Sequence, residues 1–480
     1  MLGLILVSLI GAAAAGPAAP PGPRGPADFE QVIFLPRLDK ATQFSEFLAV
    51  GGERSVLLRS ENWRESVHPL LRFDITRPDS ATTVGIDETG PLTLVFRKDL
   101  EVSCVNVKNW ERFHAACADR LKVLGTPYKF TDAGVTTYAT RDALDRVLTG
   151  YVVKGNEACA ARMQGKSVDG VLKEMSKWLG KAPTTGTWRL LASLPGVGYL
   201  LTQRAVIAMN AEGLTGTAAA KGDLPLAALA GAGPSPYAAY NAPGLITLKM
   251  RADPPGMQPV IDEVALRLTA LCPSCGDGTA FKVAARALGA TLTGNSLLVV
   301  SKVKVVGSLR TDPGRFFSVR SAVFAETHSP DAAMKAILGL MTIRGAKLLE
   351  GSGGVSILLK EGELRIGVRG NHVFVSNDPV VLEAAYKVLP VAPAPQAHGA
   401  ELNVDPKLLA QGLAQVPLMD AVQSTELAGM LAAGAELGPL LLSTERISGW
   451  ADATRAQLSW KLKTPPPKAA PDAGVADAGP

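Results

Sequence analysis

The stretch Gly150–Ala161, "GYVVKGNEACAA", places an apolar run on each side of a Lys-Gly-Asn turn. Glycine tolerates the positive φ that a two-residue hairpin loop requires, and asparagine tolerates it next best. The stretch therefore predicts two antiparallel strands joined at Gly155 and Asn156. Cys159 then falls on the second strand, where we expect it to pack as a small buried hydrophobe.

A similar stretch occurs in the second half of the chain. Ile366–Val375, "IGVRGNHVFV", carries the turn Gly370-Asn371, and Phe374 stands where Cys159 stands in the first stretch. A Gly-Val strand precedes each turn, starting at Gly134 in one half and at Gly354 in the other. The repeated pattern predicts that the turns belong to a scaffold that occurs twice.

The segments around the two turns also correspond. Each turn is followed by a strand and an amphipathic helix. Ser167 can cap the first of these helices, and Asn377-Asp378-Pro379 opens the second. Each is preceded by a strand and another helix, which starts near Trp110 in the first half and at Pro330 in the second. Each half then closes with a predicted hairpin, Arg204–Lys221 or Arg446–Lys463.

These patterns predict an α+β fold of two tandem related domains, each a mainly antiparallel sheet with helices packed on one side. A period this long indicates a duplicated domain rather than a solenoid repeat. The predicted organisation is a signal peptide (1–15), a Pro-rich linker (16–27), a first repeat (28–221), a linker (222–235), a second repeat (236–463) and a disordered Pro/Ala tail (464–480).

The first residues indicate the compartment. Leu2–Ile10 is apolar and is followed by four alanines and the Pro-rich stretch Pro17–Pro26, as in a secretory signal, although no Lys or Arg precedes the run. We therefore expect a periplasmic or secreted protein. No other apolar run reaches the roughly 18 residues of a spanning helix, so no membrane span is expected in the mature chain.

Composition excludes one class of partner. With 47% hydrophobic and 19% charged residues in 480, the chain has the composition of an ordinary globular protein of two or three domains. Its net charge of +5 is spread over the whole length, and no dense Lys/Arg cluster is interleaved with aromatics. Nucleic-acid binding is therefore not expected.

Local catalytic motifs are missing from the sequence. None of the five histidines lies close to another, and no Gly-x-Ser-x-Gly elbow occurs. Ser301 and Lys304 match a Ser-x-x-Lys motif, but they fall in the β-branched run Leu297–Val306, where a strand would point them to opposite faces. We predict no catalytic, metal-binding or cofactor-binding residues and no cofactor.

The cysteines leave more than one interpretation open. Cys272 and Cys275 have the spacing of a redox pair, but a predicted helix ends at Cys272, where its dipole disfavours a thiolate. A short structural disulfide is therefore favoured. Cys104 and Cys117 could form a second bridge, which would leave Cys159 over. Five cysteines do not fix the connectivity.

One part of the sequence resembles a group of known proteins. Phe73–Asp99, "FDITRPDSATTVGIDETGPLTLVFRKD", followed by Gly-Val-x-x-Tyr and Lys-Gly-Asn, resembles exported bacterial proteins of unknown function built from a duplicated α+β unit. In those chains a turn like Gly85–Pro91 leads into the first long strand. The resemblance implies an export route and an architecture, and it implies no mechanism.

Two classes of function follow. The first is a non-enzymatic envelope protein that binds an unknown envelope protein or an apolar ligand between its halves, since clefts between domains favour binding. The second is an enzyme with scattered catalytic carboxylates, with a thiol oxidoreductase using Cys272 and Cys275 as a weaker alternative. A pocket lined by acidic or histidine side chains with perturbed ionisation would favour an enzyme.

Overall fold

The computed structural model describes residues 30–53, 70, 73–74, 78–97, 100–132, 134–163, 166–175, 190–191, 193–224, 226–242, 244–272, 278–305, 317–349, 353–359, 362–389, 392–413 and 437–465. The predicted signal peptide (1–15), the Pro-rich linker (16–27) and all but the first two residues of the predicted tail (464–480) lie outside the described residues.

The described strands are β1 Gln31–Leu35, β2 Leu92–Arg97, β3 Leu100–Asn106, β4 Thr126–Asp132, β5 Val135–Arg141, β6 Val147–Lys154, β7 Glu157–Met163, β8 Gly198–Leu201, β9 Ala205–Glu212, β10 Thr215–Gly222, β11 Gly233–Ser235, β12 Ile246–Arg251, β13 Leu292–Val305, β14 Phe317–Thr327, β15 Lys347–Leu349, β16 Gly354–Leu359, β17 Gly362–Arg369, β18 His372–Ser376, β19 Ala394–Gln396, β20 Ala400–Val404, β21 Thr444–Asp452 and β22 Arg455–Leu462.

The described α-helices are α1 Ser45–Gly52, α2 Pro78–Thr83, α3 Trp110–Leu124, α4 Asp169–Met175, α5 Pro254–Leu271, α6 Thr279–Gly289, α7 Pro330–Leu338, α8 Pro379–Tyr386 and α9 Pro406–Leu413. Two 3-10 helices cover Leu38–Phe44 and Gly339–Thr342. Among the described residues, no helix is both long enough and apolar enough to cross a membrane.

One antiparallel sheet, built from 20 of the described strands, forms the frame of the molecule, so the predicted α+β class is confirmed. From its first edge, the strands of the first half lie in the order β4-β5-β6-β7-β3-β2-β1-β8-β9-β10. From the opposite edge, the order is β15-β16-β17-β18-β14-β13-β12-β20-β21-β22. Counted inward from each edge, the two orders are equivalent.

The two runs of strands meet in the middle of the sheet. The last strand of each run, β10 and β22, pair antiparallel, with Thr217 opposite Ser459 and Ala218 opposite Leu458. Each of these strands also pairs with its own hairpin partner, β9 or β21. The centre of the sheet is therefore built from the two closing hairpins, lying side by side.

The Gly-Asn turns are confirmed. Gly155 has φ 61° and joins β6 to β7, while Gly370 has φ 59° and joins β17 to β18. These values lie in the left-handed region that glycine adopts without a steric cost.

The predicted cap Ser167 and the predicted opening Asn377-Asp378-Pro379 both lie at the starts of helices. The side chain of Asp378 accepts hydrogen bonds from the backbone N–H groups of Val380 and Val381, as an N-cap does. Ser167 lies just before α4, and its hydroxyl accepts from the N–H of Asp169 at 3.4 Å.

The prediction that the helices pack on one side of each sheet is wrong. Ala158 and Ala160 of β7 belong to the core under α3, whereas Cys159 and Ala161 belong to the core under α4. Consecutive residues of a strand point to opposite faces, so α3 and α4 lie on opposite faces of the sheet. β6 and β7 are therefore apolar almost throughout, as strands covered on both faces are.

The second half repeats this two-sided arrangement. α7 packs on the core that contains Val355 and Ile366, and α8 packs on the core that contains Phe324 and Phe374. The ladder pairings run without interruption from Phe374 to Cys159 along one face. The helices α4 and α8 thus lie on the same face, which we call face B, and α3 and α7 lie on the other, face A.

The segment predicted as a linker (222–235) and the residues that follow it pack against the second half. β11 pairs with β19, with Ser235 opposite Ala394. Tyr237 and Tyr240 are buried in the core under α8. The connection between the halves is therefore held by both backbone pairing and apolar contacts.

Candidate functional site

In the middle of the sheet, the residues of face A are on the whole more deeply buried than those of face B. On face A, Leu458 and Trp460 of β22 pack with Phe47 of α1 and with apolar residues at 437–441. On face B, the side chains of β21 and β22 that point away from this core are partly buried or exposed. The residues of β10 are partly buried. This alternation of apolar and polar residues is typical of an antiparallel sheet with one solvated face.

Small polar side chains cross this open face in a continuous line. Each is directly opposite the next in the ladder, so all project from face B. We call them the central polar row: Asn210 (β9), Thr217 (β10), Ser459 (β22), Ser448 (β21), Asn403 (β20) and Thr247 (β12). All six are neutral, and each carries a hydroxyl or a carboxamide that can both donate and accept a hydrogen bond.

The side chains in the middle of the row have free hydrogen-bonding capacity. The hydroxyls of Thr217, Ser448 and Ser459 have no hydrogen-bond partner among the described residues, and the same holds for the carboxamide of Gln457 beside them. Because these groups are half-exposed, they are available to a ligand without loss of an internal contact.

The two carboxamides of the row are held in place. Asn210 accepts from the N–H of Val197 at 3.0 Å and donates to the carbonyl of Pro195 at 3.1 Å. At the other side, the Oδ1 of Asn403 accepts from Arg446 at 3.2 Å. These bonds fix two carboxamides and leave the hydroxyls between them free.

A half-exposed tryptophan adjoins the row. Trp450 lies two residues along β21 from Ser448, on the same face. The imidazole of His398 stacks on its indole with centroids 4.1 Å apart, and the Nδ1 of His398 lies 3.1 Å from the carboxylate of Asp452. This contact orients the ring that covers one side of the indole.

A cavity opens at one end of the row. It has a volume of about 340 Å³ and is lined by Pro36, Arg37, Lys40, Gly196, Val197 and Asn210. Arg37 is occupied by an ion pair with Asp39, which lowers the pKa of that carboxyl. The ammonium of Lys40 has no ion-pair partner within the described ranges. None of the described residues that line the cavity is acidic or a histidine.

At the other end of the row, the segment between the halves covers the sheet. Lys249 of β12 is buried, and its ammonium donates to the carbonyl of Ala238 at 2.5 Å. Burial lowers the pKa of Lys249, and the charge of Glu401 opposes that effect. The open part of face B therefore ends at β12.

The predicted pairing of Cys104 with Cys117 is wrong. Cys104 on β3 is bonded to Cys159 on β7, directly opposite in the ladder, and Cys117 on α3 is a free, buried thiol. The expectation that Cys159 would be left unpaired is therefore wrong as well. The physical reason is that Cys104 faces the core under α4 on face B, whereas Cys117 lies in the core under α3 on face A. Burial raises the pKa of the Cys117 thiol to about 12, so it is not a nucleophile at neutral pH.

The other predicted pair is described only in part. Cys272 follows the last residue of α5 and is disulfide-bonded. Its predicted partner, Cys275, lies outside the described residues.

Two histidines form hydrogen bonds with tyrosines. The Nδ1 of His114 lies 2.9 Å from the hydroxyl of Tyr151, and the Nδ1 of His372 lies 2.9 Å from that of Tyr237. Burial lowers the pKa of both imidazoles and raises the pKa of both phenols. Each pair is therefore a hydrogen bond between neutral groups. One joins α3 to β6, and the other joins Tyr237 to β18.

Metal ligands do not converge within the part of the chain that the structure describes, where no group of three His, Cys, Asp or Glu side chains could hold a metal ion. His68 lies outside that part, and His328 is exposed.

Sequence reasoning missed the central polar row, although a signal was present. In the hairpin Arg446–Lys463, Ser448, Trp450 and Ser459 alternate with apolar residues such as Ile447 and Leu458. That alternation predicts a strand with one polar face. It does not show that four other strands bring further polar residues into line.

Comparison with protein-family profiles, with curated proteins and with solved structures finds no match for this chain. Its site must therefore be interpreted from its own residues.

Proposed function

We propose that this chain is an exported, non-enzymatic binding protein made of two related units. In this proposal its ligand or partner occupies face B between the halves, on the central polar row. The observation that carries the proposal is the row itself, a line of neutral hydrogen-bonding side chains on an open face whose other side is a packed core.

Two features support export to the periplasm or the exterior. The sequence begins with the apolar run Leu2–Ile10, followed by small residues and a Pro-rich stretch. Cys104, Cys159 and Cys272 are all disulfide-bonded, and disulfides persist mainly in oxidising compartments.

The equivalent strand orders support an origin by tandem duplication. The paired Gly155 and Gly370 turns occupy equivalent places in the two orders, and equivalent helices lie on the same faces. Duplication explains why the sheet is continuous, because two copies of one closing hairpin can pair edge to edge. The finer domain boundaries, 28–221 and 236–463, belong to this proposal.

The chemistry of the site favours a polar ligand or partner over an apolar one. An apolar ligand would cover the hydroxyls of Thr217, Ser448 and Ser459 without offering them hydrogen bonds. Each buried and unsatisfied polar group would cost about 1–3 kcal/mol. A partner that supplies donors and acceptors avoids this cost.

A photo-crosslinking experiment tests the location of the site. A photoreactive amino acid replaces Ser459 on the row or, as a control, Thr131 on the exposed edge strand β4. We expect illumination of the exported full chain to produce an adduct from position 459 and none from position 131. Equal labelling at both positions, or no adduct from position 459, would contradict the proposal.

A separate experiment tests the absence of catalysis, because the enzyme with scattered carboxylates and the thiol oxidoreductase remain the alternatives. The mature protein is assayed with ester, peptide, glycoside and phosphate substrates and for insulin reduction. We expect no turnover above background. Reproducible turnover that one Asp, Glu, Ser, His or Cys substitution abolishes, with folding unchanged, would replace the binding proposal.

A further inference from the structure

We propose that a β-hairpin that extends the second half binds the surface of an anionic lipid bilayer. The hairpin consists of the ends of β13 and β14, residues 301–305 and 317–321, and we call it the basic arm. The residues that join its two strands, 306–316, lie outside the described residues. The arm lies apart from the central polar row, so the inference rests only on the export part of the proposed function.

The basic arm is an addition to the scaffold that the two halves share. Cys104 and Phe324 occupy equivalent places in the hairpins β2–β3 and β13–β14. Counted outward from Cys104, the first hairpin closes at Leu100. At the place equivalent to Leu100, Arg320, the second hairpin does not close, and its pairing continues to Phe317. The shared sheet therefore does not require the arm, which indicates a separate role.

The arm projects past the strands on either side of it. The pairing of β13 with β12 ends at Val300, and the pairing of β14 with β18 ends at Ala322. Four pairs follow beyond them, from Lys302 with Arg320 outward, and at about 3.4 Å per residue they extend roughly 14 Å past the sheet. A projecting hairpin can meet a flat surface without needing a groove of matching shape.

The charge of the arm has one sign. Among the residues of its two strands, Lys302, Lys304 and Arg320 are basic and none is acidic. Lys302 is exposed and has no ion-pair partner among the described residues. Arg320 lies opposite Lys302 and forms an ion pair with Asp378 at 3.2 Å. The two lysines are therefore the residues that a negatively charged surface attracts, as anionic headgroups attract clustered basic residues.

Apolar residues alternate with the basic ones. Val303 lies opposite Val319, and Val305 lies opposite Phe317. Consecutive residues of a strand belong to opposite faces, so the register gives the arm one basic and one apolar face. Val319 is half-buried and belongs to none of the described apolar cores of the second half. This pattern is typical of elements that lie at a bilayer surface, and a hydrophilic polyanion would leave the apolar face uncovered.

The base of the arm is fastened to the start of α8. The Oδ1 of Asn377 accepts from the N–H of Ser321 at 2.9 Å, and its Nδ2 donates to the carbonyl of Val319 at 2.5 Å. The ion pair of Arg320 with Asp378, the cap of α8, adds a third connection. The arm therefore leaves the sheet from a fixed base.

The test is co-sedimentation of the full mature chain with vesicles of equal parts phosphatidylglycerol and phosphatidylcholine, and with vesicles of phosphatidylcholine alone. Lys302→Glu/Lys304→Glu reverses the charge of the arm. Lys108→Glu/Lys154→Glu is the matched control, because it changes the net charge equally at exposed lysines of the first half that have no ion-pair partner among the described residues.

A third variant removes the arm. Residues 302–319 are replaced by Lys-Asp, the two residues that connect β2 to β3 in the equivalent hairpin of the first half. Urea unfolding verifies that each variant is folded. If the arm-deleted chain does not fold, the charge-reversal variant and its control still decide the question.

We expect the chain to bind the vesicles that contain phosphatidylglycerol and not those of phosphatidylcholine alone. Binding should weaken by about tenfold or more in Lys302→Glu/Lys304→Glu. It should be lost without the arm and be unchanged in the control. Raising the salt concentration about tenfold should weaken it as well. No binding to the anionic vesicles, or equal weakening in the control and in the charge-reversal variant, would overturn the proposal.

An acidic protein is the other class of partner that a basic arm could meet, and poly-L-glutamate is its probe. Salt-sensitive retention on a poly-L-glutamate resin that requires the arm, without binding to anionic vesicles, would overturn the lipid proposal in favour of an acidic polypeptide. None of these outcomes depends on the central polar row, so they leave the photo-crosslinking test of the proposed function unaffected.

Discussion

The two halves place the same strands in equivalent positions but stabilise one equivalent contact by different chemistry. In the first half, β3 and β7 are joined by the disulfide between Cys104 and Cys159. In the second half, the equivalent strands β14 and β18 bring Phe324 opposite Phe374, and both rings pack edge-on against Tyr386. A covalent bond and an aromatic cluster thus occupy the same place in one architecture.

The two halves therefore share a backbone arrangement, and they do not share the side chains that stabilise this contact. A cross-strand position covered on both faces needs a contact that fills space and holds the strands together. Two cysteines achieve this with a small volume and a bond, and two phenylalanines achieve it with a large buried area. Substitutions at the two positions therefore compare the two solutions directly.

The largest effect is expected in the second half. Phe324 is fully buried, so Phe324→Ala removes a whole ring from the core under α8 and leaves a cavity. We expect the free energy of unfolding to fall by about 3–5 kcal/mol, measured by urea denaturation. Val123→Ala on the exposed surface of α3 is the control and should change it by less than about 0.5 kcal/mol. A loss below about 1 kcal/mol for Phe324→Ala would contradict the described core.

A somewhat smaller loss is expected in the first half. The double substitution Cys104→Ala and Cys159→Ala opens a link between residues 55 apart in sequence. The unfolded chain then gains entropy, and we expect stability to fall by about 2–4 kcal/mol. Cys117→Ala is the control, since that thiol is free, and it should cost less than the double substitution. Peptide mapping that found Cys104 bonded to Cys117 would contradict the structure.

The smallest effect concerns pH, and it compares the His–Tyr hydrogen bonds of the two halves. Burial holds the folded-state pKa of His114 and of His372 below the ordinary value. The unfolded state therefore binds more protons in that range, so their contribution is present above a pH of about 6.5 and is lost as the pH falls toward the folded pKa. Urea midpoints between about pH 7.5 and about pH 5.5 measure the loss.

Substitution isolates the histidine contribution from that of the carboxylates. His372→Gln should make the decline in stability with falling pH less steep, and His114→Gln should do the same. His328→Gln, at an exposed position, should leave the slope unchanged. If stability fell with pH at the same rate in all three variants, neither buried imidazole would be linked to folding.

Local features of this fold could be predicted from sequence because their causes are local. The Gly155 and Gly370 turns follow from the conformational freedom of glycine, and the start of α8 follows from Asp378 as a cap. Each depends on fewer than about five neighbouring residues, which a sequence displays directly.

The side of the sheet on which each helix lies was not predictable in the same way. The apolar stripe of α3 shows that the helix packs on something, but it does not specify a face. A better signal was the run Ala158–Ala161, which is apolar at every position and therefore indicates a strand covered on both sides. The wrong pairing of Cys104 with Cys117 follows from the same omission, because those residues lie on opposite faces.

The central polar row could not be predicted because it is a property of strand order. Asn210, Thr217 and Ser459 lie far apart in sequence and become neighbours only when β9, β10 and β22 pair. Their local patterns predict strands with one polar face, and the alignment of those faces depends on the contact between the two closing hairpins.

That contact is the central claim, because the row exists only if β10 and β22 pair in this register. The measurement is disulfide formation in Thr217→Cys/Ser459→Cys, at directly opposite positions on the exposed face. The matched control is Thr217→Cys/Gln457→Cys, a diagonal pair that antiparallel geometry separates by about 7–8 Å. Mild oxidation and peptide mapping should reveal a 217–459 bond and no 217–457 bond. A bond in the diagonal pair, or none in either variant while both remain folded, would contradict the joined sheet and the site built on it.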